Sequence, residues 1–219
     1  MSDVAARLAE VRDRIAHAAR EAGRDPNEVQ LVAVSKEASV GAVRDAIAAG
    51  QLDFGENRAQ ELATKAEAIA DAAPCWHFVG RLQRNKVKAI AGVVTLWQSV
   101  DRLELGELIA RHAPGARVLV QIRLGEDDTK GGCDPAAADA LSGGLTGLGL
   151  AVEGLMTVPP HHEDPRPHFA SLRELAARLG LQTLSMGMSG DYEAAIAEGA
   201  TLVRVGTAVF GARPPAARP

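Results

Sequence analysis

Eight short runs rich in β-branched and apolar residues, set between Ala-rich stretches of helical period, restrict this chain more than any other feature. The runs are 29–35 (VQLVAVS), 52–56 (LDFGE), 76–80 (WHFVG), 95–100 (TLWQSV), 116–124 (ARVLVQIRL), 150–158 (LAVEGLMTV), 181–187 (LQTLSMG) and 201–206 (TLVRVG). Helical patterns lie between them at 39–50, 57–72, 101–112, 168–180 and 191–200. Strands separated by helices cannot pair as hairpins; they need right-handed crossovers and so form a parallel sheet. About eight such units within 219 residues predict a single (β/α)8 barrel domain over 1–219, with its functional groups at the C-terminal ends of the strands. A doubly wound open sheet, which needs fewer strands, is the alternative architecture.

Outside the repeating units, residues 1–23 read as an amphipathic helix, with Val4, Leu8, Val11 and Ile15 at helical spacing. Residues 142–150 (SGGLTGLGL) and 159–167 (PPHHEDPRP) are expected to be loops, and the Pro-rich tail 212–219 is expected to fray. The N-terminus has acids and no apolar h-region, so it fits neither a signal peptide nor a transit peptide. No apolar run approaches the length of a membrane span. Cys75 and Cys133 are too few for a disulfide framework and lack zinc-ligand spacing, so two reduced thiols and a cytoplasmic location are expected. A net charge of -4 and only 3% aromatic residues argue against nucleic acid as a partner, which would need phosphate neutralisation and stacking surfaces.

Polar residues gather at the ends of the expected strands. Lys36 closes the first; Glu56, Asn57 and Arg58 follow the second; His77 lies inside the third; Met156 and Thr157 end the sixth. Ser185, Gly187, Ser189 and Gly190 come at and after the seventh, and Arg204, Gly206 and Thr207 at the eighth. A barrel brings these positions to one mouth. Barrels often hold phosphate with the loops after strands seven and eight, where Gly admits a close backbone and Ser or Thr adds a hydroxyl donor. Such residues also dominate ordinary strand-to-helix turns, and Asp191 reads equally as a helix N-cap. Lys36 has three readings: a solvated strand end, an anion contact, or an amine held for covalent chemistry. A phosphate site facing a lysine across one mouth suits pyridoxal 5'-phosphate, whose aldehyde condenses with an amine.

Six segments carry a resemblance to a known family: VAVSK (32–36), FGENRAQE (54–61), WHFVGRLQRNK (76–86), SVDR (99–102), GLMTVPP (154–160) and the long 184–211 stretch LSMGMSGDYEAAIAEGATLVRVGTAVFG. In this order they resemble the pyridoxal-phosphate homeostasis proteins, related to the N-terminal barrel of alanine racemase, over about 31–213. The resemblance implies a fold type III barrel without a C-terminal β-domain, a bound pyridoxal 5'-phosphate, and a role in holding or delivering that cofactor to apoenzymes, with no robust catalysis. It implies that Lys36 carries the cofactor as a Schiff base and that Asn57 lies near the ring and its 3-hydroxyl. Ser189, Gly190, Gly206 and Thr207 would cradle the phosphate, and Arg204 would approach the pyridine nitrogen. His77 and Met156 would be wall residues, although a packed core position suits each.

The chain departs from relatives at Glu37 and Ala38, so no second amine stands at position 38, and at 124–135 (LGEDDTKGGCDP), where Lys130 and Gly131 persist beside an Asp pair and Cys133. His161 and His162 lack a third spaced ligand and read as a polar loop, not a metal site. Glu37 is expected to point away from the mouth, because adjacent side chains on a strand face opposite ways. Two other functions stay open on local chemistry. A small racemase would need a second acid/base opposite Lys36, for which Tyr192, Cys133 and His77 are the candidates; a Schiff-base aldolase would use the same phosphate loops. The absence of a β-domain removes a racemase-type dimer partner, so a monomer is expected.

Overall fold

The computed structural model describes residues 2–125, 131–160 and 162–211. Eight parallel strands close into a barrel in sequence order, with β8 returning to β1. They are β1 (Gln30–Val34), β2 (Asp53–Glu56), β3 (Cys75–Phe78), β4 (Val94–Val100), β5 (Arg117–Ile122), β6 (Ala151–Thr157), β7 (Thr183–Ser185) and β8 (Leu202–Val205). Every expected run contributes one strand, and closure excludes the open sheet. The helices are α1 (Asp3–Glu21), α2 (Val40–Ala48), α3 (Ala59–Ala68), α4 (Val87–Ile90), α5 (Leu103–His112), α6 (Ala138–Gly147), α7 (Arg166–Arg178), α8 (Tyr192–Ala197) and α9 (Thr207–Phe210). Among the described residues no helix is long and apolar enough to cross a membrane.

Alternation along the strands builds two separate cores. Val32, Leu96, Leu119, Met156 and Leu202 point inward and fill the barrel. Their neighbours Leu31, Ala33, Val118, Val120, Leu155 and Val203 point outward and pack beneath the helices. Strands buried on both faces read as continuous apolar runs, which is why the sequence shows them so plainly. Helix α1 starts at Ser2, whose hydroxyl accepts the Ala5 N–H at 3.3 Å. It buries Val4, Leu8, Val11, Ile15 and Ala19 and packs on α2, α8 and α9, across the place where β8 meets β1.

Two expectations need correction. Residues 142–147 are not loop but the second half of α6. Glycine costs a helix about 1 kcal/mol each relative to alanine, and in α6 only Gly144 lies against a neighbouring element, whereas Gly143 and Gly147 meet nothing within 4 Å. A Cβ on Gly144 would come 2.9 Å from Leu103 Cδ1, and one on Gly106 of α5 would come 2.1 Å from Leu145 Cδ2. Ala138, Leu141 and Leu145 supply the buried stripe, and tertiary contact overrides local propensity. The segment 159–167 also yields its last two residues to α7, with Pro167 in the first turn where its missing N–H costs nothing. His161, Lys130 and the tail 212–219 lie outside the described residues.

Candidate functional site

Lys36 does not end β1. The strand stops at Val34, and Lys36 sits in a turn closed by the Ala38 N–H on the Ser35 carbonyl at 2.9 Å. Glu37 takes φ +64°, a conformation unusual for a residue with a side chain. It is exposed and does not face the cavity, but the turn, not strand alternation, sends it outward. A buried polar cluster clamps this turn. Lys65 of α3 donates to the Ser35 carbonyl at 2.5 Å and to Glu56 Oε1 and Glu61 Oε1, both at 2.7 Å. Ser35 Oγ donates to Glu56 Oε1 at 2.6 Å, and Glu61 Oε1 accepts the Glu37 N–H at 2.6 Å. Burial pushes the Glu56 carboxyl above its ordinary value, against the pull of the Lys65 and Ser35 hydrogen bonds. One lysine is thus locked between carboxylates, whereas the Lys36 amine has no hydrogen-bond or ion-pair partner among the described residues.

Lys36 opens into a cavity of about 460 Å³ at the C-terminal mouth. Asn57 after β2, Gly80 after β3, and Val158 after β6 wall one side. Ser189 and Gly190 from the β7–α8 loop face Gly206 and Thr207 from the β8–α9 junction, and Arg204 contributes from β8 itself. The two glycine-bearing loops are tied together: Ser189 Oγ accepts the Gly206 N–H at 3.2 Å. A Cβ on Gly80 would lie 2.2 Å from the Asn57 carbonyl oxygen, so the β2 and β3 loops approach this closely only because residue 80 lacks one. Asp191 also lines the cavity. It stands at the N-cap position of α8 without capping it; its Oδ1 accepts the Met188 N–H instead.

Arg204 is almost wholly buried, and burial pulls its guanidinium down to about 10, with Asp191 opposing. Its Nη2 donates to the Thr157 carbonyl at 2.8 Å and its Nη1 to Ser185 Oγ at 2.6 Å. Ser185 Oγ in turn donates to Gln98 Oε1 at 2.6 Å, and the Gln98 amide nitrogen meets His77 Nδ1 at 2.7 Å. His77 Nε2 then lies 3.1 Å from Asp53 Oδ1, near the opposite end of the barrel. Arg204 can only donate and the Asp53 carboxylate only accept, so the two ends suit one direction, from Arg204 through Ser185, Gln98 and His77 to Asp53. Towards the cavity Arg204 offers donors alone.

The structure therefore gathers seven of the nine expected residues around one cavity: Lys36, Asn57, Ser189, Gly190, Arg204, Gly206 and Thr207. His77 and Met156 are not among its lining residues. His77 is 4% exposed inside the hydrogen-bonded chain, and Met156 belongs to the inner apolar core beneath Val158. Tyr192 is buried under the Arg14 guanidinium, and Cys133 is held by backbone bonds to Gln121 and Arg123; neither lines the cavity. Lys65, Gln98 and Asp53 are not legible as site-supporting residues in the sequence, because each acts through partners on other strands.

Residues 7–214 match the family model for the alanine racemase N-terminal domain, and the barrel and site geometry place the chain in that class. Within it, the chain belongs to the pyridoxal phosphate homeostasis protein family. It is 46% identical to the Pseudomonas aeruginosa pyridoxal phosphate homeostasis protein, covering 97% of each chain, and 38% identical to the Escherichia coli one, covering 97% of this chain and 98% of that one. Among solved structures it is similar to PipY of Synechococcus elongatus with pyridoxal phosphate bound, at 37% identity and a TM-score of 0.84, over 95% of this chain and 100% of PipY.

Proposed function

We propose that this chain holds pyridoxal 5'-phosphate in the Lys36 cavity and serves its homeostasis, keeping the reactive aldehyde sequestered and passing the cofactor to apoenzymes in the cytoplasm, as a monomer. The observation that carries this reading is the unpartnered Lys36 amine opening into a cavity whose far wall is made by the Ser189–Gly190 and Gly206–Thr207 loops. Family membership and the pyridoxal-phosphate-bound PipY structure support it.

The residues present fit the cofactor. Asn57 Oδ1 is buried with no hydrogen-bond partner and belongs to a cavity-lining residue, a ready acceptor for a ring hydroxyl. Gly190 leaves open space for oxygens against the backbone. Pyridoxal phosphate supplies an aldehyde and an electron-withdrawing ring. Lys36 would supply the amine for that aldehyde, and the Lys65–Glu56 clamp fixes the turn from which it projects. Arg204, able only to donate, would meet the pyridine nitrogen as an acceptor and disfavour a proton there. That would keep the ring a weak electron sink, which suits carriage better than amino-acid chemistry.

Titration of the purified protein with pyridoxal phosphate, followed by borohydride reduction and peptide mass mapping, tests this. A new visible absorbance band and a reduced adduct on Lys36 are expected. Adducts scattered over exposed lysines, with no band, would remove Lys36 from the role.

A further inference from the structure

Several arginines of this chain meet a carboxylate within the fold: Arg7 with Asp3, Arg14 with Glu193, Arg24 with Glu28, Arg44 with Asp71, Arg117 with Glu153 and Arg173 with Glu198. Beside the mouth, cations without such a partner are gathered together. Arg58, at the start of α3, and Arg81, Arg84 and Lys86, between β3 and α4, are exposed and make no ion pair among the described residues. Arg58, Arg81 and Lys86 line a groove of about 650 Å³ together with Arg102, whose charge Asp101 meets at 2.5 Å. Asn57 lines this groove and the Lys36 cavity alike, so the two share a wall.

A chain of net charge -4 has carboxylates to spare, yet it leaves this cluster to repel itself. Like charges held together without a counter-charge destabilise the compact state and attract an oppositely charged partner. The cations come from three separate elements and are strung along an open groove. That arrangement suits several carboxylates in series better than one compact anion. Nucleic acid would need stacking surfaces as well, and the groove's aromatic, Phe78, is 1% exposed.

We propose that this groove docks an acidic extended segment of a partner protein, bringing the partner to the rim of the Lys36 cavity. The idea that such a partner receives pyridoxal phosphate rests on the function proposed above; the docking itself does not.

The test uses the full chain without added cofactor and a fluorescent octaglutamate peptide, read by anisotropy. Binding at 50 mM salt should weaken about tenfold by 200 mM, because exposed charge pairs are screened over about 10 Å or less. The double variant Arg81→Glu/Lys86→Glu should bind at least about tenfold more weakly, the loss of a few exposed charge contacts. Arg20→Glu/Arg178→Glu, which changes net charge equally but lies off the groove, should bind as the parent does. Thermal melts confirm that both variants fold, and both should titrate with pyridoxal phosphate unchanged. No peptide binding at 50 mM salt, or equal losses in the two double variants, would overturn the proposal. So would displacement of the peptide by ATP or a single-stranded oligonucleotide at lower concentration than by unlabelled octaglutamate. A parent that binds the peptide but gives no cofactor band would defeat the carrier reading and leave the docking groove standing.

Discussion

Arg204 Nη1 lies 2.6 Å from Ser185 Oγ, the first link of a hydrogen-bonded chain that runs from the cavity down to Asp53. Ser185→Ala would leave one guanidinium nitrogen and the Gln98 carbonyl oxygen buried without partners. An unmade buried bond to a charged group costs about 1–3 kcal/mol, so urea denaturation should show a loss in that range. Ser185→Thr, which keeps the hydroxyl, should recover most of it.

Lys65 is 6% exposed and Glu56 wholly buried, so their pair has no water to fall back on. Removing one partner of a buried pair costs about 3–5 kcal/mol. Lys65→Met should fall in that range by chemical denaturation, whereas Lys36→Met should leave stability nearly unchanged and abolish the borohydride-trapped adduct. The lysine of α3 and the lysine of the turn after β1 are thereby separated by experiment into a fastener and a reactive amine.

Gly80→Ala would put a Cβ 2.2 Å from the Asn57 carbonyl oxygen. The backbone must shift to admit it, which moves the cavity wall. Affinity for pyridoxal phosphate should fall by at least about tenfold, a change of roughly 1.4 kcal/mol, while far-UV circular dichroism stays that of the parent. Unchanged affinity would mean that this wall does not touch the cofactor.

Burial raises Asp53, but the hydrogen bonds from His77 and Gln30 lower it further, leaving it below the ordinary 3.8. A carboxyl held down in the folded state stabilises the fold above its unfolded value, and that contribution is lost as pH falls through the folded value. Asp53→Asn should therefore be less stable than the parent at pH 7. The gap should close as the pH drops below 3.8, which a series of melts from pH 7 to 3 would read.

Burial first, and then the Asp101 carboxylate, push the Cys133 thiol up to about 11 from an ordinary 9.0. At pH 8 its thiolate fraction is about one-hundredth of an unperturbed thiol's, and the thiolate is the reactive form. Iodoacetamide should label Cys133 slowly, with a rate still rising past pH 10.

The eight strands were legible because burial on both faces writes each as an unbroken apolar run. Seven cavity residues were legible because barrel topology sends strand ends to one mouth. Helix α6 was hidden by Gly143, Gly144 and Gly147, of which only Gly144 meets a neighbouring element, at Leu103, while the buried stripe of Ala138, Leu141 and Leu145 holds the helix in place. His77 and Met156, for which a packed core position also suited the sequence, lie in the hydrogen-bonded chain and the inner apolar core and not on the cavity wall. The clamp on Ser35 was not legible at all: Lys65 and Glu56 meet only after α3 folds back over β2.

Helix α1 crosses the seam where β8 meets β1, and that seam runs beneath the cavity: Lys36 follows the first strand, Gly206 and Thr207 the last. The two walls of the cavity are thus synthesised far apart in the chain: a nascent chain that has only reached Lys36 lacks the Ser189–Gly190 and Gly206–Thr207 loops that share its cavity. On the function proposed above, such a chain would hold no pyridoxal phosphate until those loops had folded against Lys36.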